Sequence, residues 1–162
     1  MKKRRPSGAS FFCYNIKMKI YIGTSLTHAS QEHRDLIKEV RDEIEKIEGV
    51  EVLKFFSDPQ DFDAQQSAQD IYNHDIHNCV ANADIFIAEC TYPSTGLGWE
   101  LGTAIEKHKI PTLALAKEGD KVTRLLLGAE CEKNPNFVFK IYKTKEEFLE
   151  LAKEFIELTQ KF

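Results

Sequence analysis

Two segments of this chain are dense in hydroxyls, glycines and isolated acids. The first, Gly23-Thr24-Ser25-Leu26-Thr27-His28-Ala29-Ser30, lies directly before a helical pattern. Its hydroxyls and backbone N–H groups suit an anion, because a helix N-terminus points unpaired N–H groups and a positive dipole end at its ligand. Plain N-capping by Ser30 or Thr27 would use the same groups. The second is Glu89-Cys90-Thr91-Tyr92-Pro93-Ser94-Thr95-Gly96-Leu97-Gly98-Trp99-Glu100-Leu101-Gly102. Gly96 and Gly98 are expected to let the backbone turn sharply and approach a ligand. Glu100 is expected in the first turn of the next helix, where the dipole favours a carboxylate and keeps it ionised. Gly96-x-Gly98 is not a dinucleotide fingerprint, since it follows the third strand and lacks the full glycine pattern. Asp75 lies upstream in a helical stretch with Asp70, His74 and His77, any of which could be a solvated charge. His74 and His77 have metal-ligand spacing, but no third ligand is evident and no metal is expected. Cys13, Cys79, Cys90 and Cys131 show no C-x-x-C or zinc-finger spacing, and read as free thiols in a reducing compartment.

Composition narrows the classes. Lys plus Arg number 22 against 26 Asp plus Glu, a net charge of -4. A generic nucleic-acid binder would carry a basic surplus, so no nucleic-acid partner is expected. No apolar run approaches the roughly 20 residues of a membrane span, so no membrane partner is expected either. Residues 1–17 are basic and acid-free and read as a disordered tail, with Met18 an alternative start. Residues 18–162 read as one domain.

The elements that must position these loops alternate. Strands are expected at 18–23, 50–56, 84–89, 110–116 and Phe137–Tyr142. Helical stripes run over 31–48, 64–82 and 98–108, with a short helix at 122–127. Residues 57–62 and 90–97 read as loops. Thr144-Lys145-Glu146-Glu147 is a capping box opening a last helix. The pattern predicts an α/β fold, a five-stranded mostly parallel sheet with helices on both faces in a flavodoxin-like or Rossmann-like order. Ligands of such sheets sit beyond the carboxyl ends of the strands, where both unusual loops fall.

Together these residues resemble the nucleoside 2-deoxyribosyltransferase family, and within it the 2'-deoxynucleoside 5'-phosphate N-hydrolase branch. The matching pieces are Tyr21-Ile22-Gly23-Thr24-Ser25, Asp75, Ala83-Asp84-Ile85-Phe86-Ile87-Ala88-Glu89 and Pro93-Ser94-Thr95-Gly96-Leu97-Gly98-Trp99-Glu100-Leu101-Gly102, with a weaker match from Gly119 to Gly128. The resemblance implies a retaining N-glycosidase. Glu100 would be the nucleophile that attacks the anomeric carbon, Asp75 the acid that protonates the departing base, and Tyr21 the hydroxyl that positions the nucleophile. The acid's role calls for a raised pKa. The resemblance implies no cofactor and no metal.

The implied substrate is a 2'-deoxynucleoside 5'-monophosphate, cleaved to free base and 2-deoxyribose 5-phosphate. Base exchange between 2'-deoxynucleosides is the alternative. Ser94 stands where the phosphate-specific branch has a phosphate-binding serine and the transferases tend to have an aspartate. Gly23, Thr24, Ser25, Gly96 and Gly98 would complete the substrate site. Thr123 matches a hydroxyl supplied by the neighbouring subunit, which implies a homodimer with shared sites in the cytoplasm. The chain departs from the branch at Leu26-Thr27, where an arginine is usual, leaving Arg124 or His28 as stand-ins, and at Trp99, where a tyrosine is more familiar. A flavin-binding electron carrier would fit the first loop but leaves the Glu100 segment unexplained. A receiver-type domain lacks the acidic cluster after strand one. A nucleotide sensor without turnover would share the binding residues.

Overall fold

The computed structural model describes residues 17–54 and 67–161; the basic tail up to residue 16, the polar loop 57–62 and the end of the second expected strand lie outside the described residues. Five strands form one sheet: β1 (Met18–Thr24), β2 (Val50–Leu53), β3 (Ile85–Glu89), β4 (Thr112–Lys117) and β5 (Phe137–Tyr142). Their order is β2-β1-β3-β4-β5 and every pairing is parallel. This is the flavodoxin-like order, with its switch point between β1 and β3. The expected α/β class therefore holds.

Side chains of a strand alternate between faces, and both faces of this sheet are covered. Ile20, Ile22, Ile85, Ile87, Leu113 and Leu115 point to one face, against Ile37, Val40 and Ile44 of helix α1 (Gln31–Glu45) and Phe148, Ala152 and Ile156 of helix α5 (Lys145–Gln160). Tyr21, Phe86, Ala88 and Ala114 point to the other. There they meet Ile76, Cys79 and Val80 from the α2 region and Leu97, Leu101, Ala104 and Ile105 from the α3 region.

These two helices are irregular. Helix α2 (Ala68–Tyr72) starts at a Ser67–Asp70 capping box, runs into a π-helical turn over Asn73–Cys79, and ends in a single 3-10 turn, Val80–Asn82. Helix α3 (Thr95–Gly102) continues as a second π-helical turn, Thr103–His108. The left-handed Lys109 (φ 55°) stops it. Helix α4 is one short turn, Arg124–Leu127.

Three local expectations change. Helix α3 begins at Thr95, three residues before the expected start, because the Ser94 hydroxyl accepts the Leu97 N–H at 3.2 Å and caps it. Gly96 and Gly98 consequently lie within a helix, and neither has positive φ, so they do not make a sharp turn. At the last helix the Thr144 hydroxyl accepts the Glu147 N–H, but the Glu147 carboxylate takes the Lys143 N–H at 2.8 Å, one residue outside the expected box.

Candidate active site

Tyr21 and Phe86 are directly opposed on β1 and β3, and their rings stack at 5.1 Å. Two residues along from Tyr21, on the same face, is Gly23. A β-carbon there would stand 2.8 Å from Phe86 Cε2, 3.0 Å from Leu97 Cδ1 and 3.0 Å from Glu100 Oε2. The bare glycine lets α3 close onto the end of β1 and lays the Glu100 carboxylate over the strand. The buried Tyr21 phenol donates a hydrogen bond to that carboxylate.

Glu100 is the sixth residue of α3, not part of its first turn. The helix dipole acts within the first turn, so the expected reason for its ionisation does not apply. Burial pushes its carboxyl up to about 8, and the Asp75 charge adds to the rise; Tyr21 and Arg41 pull the other way. Two carboxylates in one dry environment resist double ionisation, and their titration belongs to the pair.

Asp75 comes from the π-helical turn after α2 and is 19% exposed, with Oδ1 at 3.2 Å from His74 Nδ1. Tyr21 is held well above its ordinary value, by burial first and then by Glu100 and Asp75, so it remains a phenol that can donate. Arg41 of α1 donates to Ile22 O at 2.8 Å and holds a positive charge near Glu100. Sequence spacing had not singled it out.

The remaining candidates divide. Ser25 is fully buried and donates to Pro93 O at 3.5 Å, tying the loop after β1 to the loop that leads into α3. Thr24 faces away from Glu100: its Oγ1 lies 3.3 Å from His33 Nε2. Ser30, rather than Thr27, caps α1, accepting the His33 N–H. Ser94, Gly96, Gly98 and Thr123 line a cleft of about 1280 Å³ between α3 and α4, with Thr27, His28, Lys121 and Arg124 also on its wall. The carboxylate pair does not line that cleft. At 100° per residue Glu100 is about 160° around α3 from Gly98 but only about 40° from Gly96, so the cleft runs along the helix beside the Glu100 face. The Thr123 hydroxyl accepts the Leu125 N–H and caps α4.

A further buried network was not foreseen. Glu89, the last residue of β3, accepts from Tyr142 Oη at 3.0 Å and from the Thr91 N–H at 3.2 Å, and the Thr91 hydroxyl bonds to it as well. Its other oxygen is 2.7 Å from His33 Nε2. This network braces the ends of three strands beneath the two loops. An acid closing the apolar run Ile85-Phe86-Ile87-Ala88 was its only sequence signal. As for metal ligands, the donor atoms of His74, Asp75 and Cys79 lie within 4.8 Å of one another. His77 is not among them; its ring packs edge-on against Tyr72. Of the described cysteines, Cys79, Cys90 and Cys131 are all free thiols.

The protein is thus an α/β protein of flavodoxin-like strand order, with the tyrosine-bonded Glu100 carboxylate and a second carboxylate, Asp75, near its switch point. The sequence model of the nucleoside 2-deoxyribosyltransferase family matches residues 20–147, and the chain belongs to that family. Its sequence is 30% identical over 161 residues to a Methanosarcina mazei protein named "Putative 2'-deoxynucleoside 5'-phosphate N-hydrolase 1", covering 96% of this chain and 91% of the relative. A Nematostella vectensis protein of the same name is 31% identical over 136 residues, covering 81% and 89%. Among solved structures, the CMP N-glycosidase BcmB of Clostridium botulinum superposes with a TM-score of 0.63 at 21% identity, over 85% of this chain and 98% of that one. A conserved protein of Enterococcus faecalis gives 0.52 at 20% identity, with the same coverage. These likenesses place the chain among N-glycosidases and deoxyribosyltransferases. No helix among the described residues is long and apolar enough to cross a membrane.

Proposed function

We propose that this protein hydrolyses the N-glycosidic bond of 2'-deoxynucleoside 5'-monophosphates with retention, through a covalent deoxyribosyl–Glu100 intermediate. The observation that carries the reading is the closeness of the half-buried Glu100 and Asp75 carboxylates, with the buried Tyr21 phenol bonded to Glu100. In the reactive form Asp75 holds the pair's proton and Glu100 is ionised. A Glu100 oxygen bonds to C1' as the bond from C1' to the base nitrogen breaks. The bonding electrons go to the base, which takes the Asp75 proton. A water then gives its proton to Asp75 and attacks C1', which releases Glu100 and 2-deoxyribose 5-phosphate.

The monophosphate preference is supported by Ser94 and Ser25, joined through Pro93. The guanidinium beside the first loop is Arg34, which donates to Leu26 O at 3.1 Å. It supplies a positive charge near Leu26-Thr27, where the branch's arginine is missing; Arg124 and His28 lie on the cleft instead. We further propose a homodimer in which Thr123 serves the partner's site. In support, Thr123 lines the cleft between α3 and α4, which Glu100 does not line, and the large apolar side chains of Trp99 and Leu125 are exposed.

Chromatography of free base tests the reading. Each 2'-deoxynucleoside and its 5'-monophosphate is incubated with the protein, with and without an acceptor base. Base released from monophosphates into water is the expected result. Exchange onto the added base, with nucleosides preferred, would make the protein a deoxyribosyltransferase. No release and no exchange would overturn the enzymatic reading.

A further inference from the structure

The π-helical turn after α2 brings together three side chains that an ordinary helix would keep apart. In an α-helix, residues i and i+5 diverge by roughly 140°. Here the Val80 N–H reaches back to Asp75 O, an i+5 to i bond that widens the turn. The widening stacks Cys79 beneath His74. Cys79 Sγ lies 3.6 Å from His74 Nδ1, and His74 Nδ1 lies 3.2 Å from Asp75 Oδ1. All three donor atoms fall within 4.8 Å of one another.

We propose that His74, Asp75 and Cys79 form a binding site for a zinc-class cation, and that its occupation switches the neighbouring carboxylate chemistry off. The donor set is the one zinc selects: a thiolate sulfur, an imidazole nitrogen and a carboxylate oxygen. A tetrahedral ion with ordinary zinc bond lengths needs its nitrogen and sulfur ligands about 3.6 Å apart, and nitrogen and oxygen about 3.4 Å apart. The sulfur–nitrogen and nitrogen–oxygen separations match within a few tenths of an ångström, while the sulfur and oxygen, within 4.8 Å of each other, close towards about 3.6 Å on binding. Cys79 is 2% exposed, whereas His74 and Asp75 are 22% and 19% exposed, so an ion enters from their side. Binding displaces the Cys79 thiol proton to solvent. The inhibitory half of the proposal rests on the reading of Asp75 as proton donor, since a carboxylate bound to a cation holds no proton for a departing base. The binding half does not depend on that reading.

The test uses the full chain, stripped with a chelator and returned to chelator-free buffer. Cobalt chloride is added while the near-ultraviolet thiolate-to-cobalt band is followed, and zinc chloride is titrated by calorimetry. One ion per chain is expected, with a cobalt band that disappears in Cys79→Ser and zinc affinity at least tenfold weaker in Cys79→Ser and in His74→Asn. A band unchanged in Cys79→Ser would assign the signal to another thiol, Cys131 being the exposed one, and overturn the site. No band and no zinc heat would overturn it too. In the base-release assay, equimolar zinc should remove at least nine-tenths of the activity and chelator should restore it. Cys79→Ser should keep its metal-free activity and resist zinc. Zinc bound at these residues with undiminished turnover would overturn the switch. A stripped wild type that releases no base would instead count against the proposed function, while the cobalt band would still decide the site.

Discussion

A β-carbon on Gly23 would lie 3.0 Å from Glu100 Oε2, so the absence of a side chain on β1 is what lets the α3 carboxylate occupy the end of the sheet. The same added atom would meet the Phe86 ring at 2.8 Å, and that ring is pinned by its stack on Tyr21. Gly23→Ala should therefore displace Glu100 rather than Phe86. A misplacement on the order of 1 Å lowers turnover by about a hundredfold. Overpacking should reduce stability by about 1–3 kcal/mol. Base release and a urea melt check both halves; normal turnover would show that Glu100 does not need this position.

The raised Glu100 carboxyl sets two pH dependences. Burial, with Asp75 adding to it, lifts the group from its ordinary 4.5 to about 8. Between those values the folded chain keeps a proton that the unfolded chain has lost, so stability falls as pH rises across that window. Glu100→Gln has no such proton and should flatten the curve of Tm against pH. Activity needs the same single proton on the pair, carried by Asp75 when Glu100 attacks. With chelator present, kcat/KM should fall as pH rises through about 8, where the pair loses that proton. A flat profile across that limb would remove the carboxylate pair from the chemistry.

Tyr21 acts on the same equilibrium. Its hydrogen bond favours the ionised Glu100, and Tyr21→Phe removes it while keeping the ring on Phe86. A hydrogen bond to a charged group contributes about 1.5–3 kcal/mol, which corresponds to a loss of roughly 10- to 150-fold in turnover. The descending limb of the pH profile should also move to higher pH. A loss of turnover without that displacement would mean that the phenol touches the substrate rather than tuning Glu100.

Much of this was legible in the sequence, and the exceptions have physical causes. Strand β5 was expected at Phe137–Tyr142 and is found there, because turn residues bound its apolar run. The start of α3 was hidden: Pro93-Ser94-Thr95-Gly96 looks like loop by propensity, yet the Ser94 cap outweighs poor helix formers. Gly96 and Gly98 were read as permitting a sharp turn because glycine usually marks one; here both lie within a helix and line the cleft. The His74–Cys79 approach was unreadable, since a π-helical turn has no sequence signature and spacing rules assume 3.6 residues per turn.

The Glu89 network predicts stability more than chemistry. Glu89→Ala would strand the Thr91 N–H and take one partner each from Tyr142 Oη and His33 Nε2, all in a buried region. Each unsatisfied buried polar group costs about 1–3 kcal/mol. Unfolding in urea should show a loss on the order of 3 kcal/mol, with Glu89→Gln milder because its carbonyl oxygen still accepts. Equal losses for the two variants would mean that the network's charge, not its acceptors, holds the strand ends.

The shared-site dimer is testable by mixing. Thr123 lines the cleft and Glu100 does not. In a symmetric dimer each site would then take Glu100 from one subunit and Thr123 from its partner. Thr123→Ala should weaken monophosphates more than nucleosides, and Glu100→Ala should abolish release. When the two variants are unfolded together and refolded, a mixed dimer places both defects in one site and leaves the other intact. Monophosphate hydrolysis at low substrate should rise above the average of the two parents. If both residues served the same chain's site, no intact site could form and the mixture would give only that average. Equal loss for nucleosides and monophosphates in Thr123→Ala would instead make its hydroxyl the cap of α4 and nothing more.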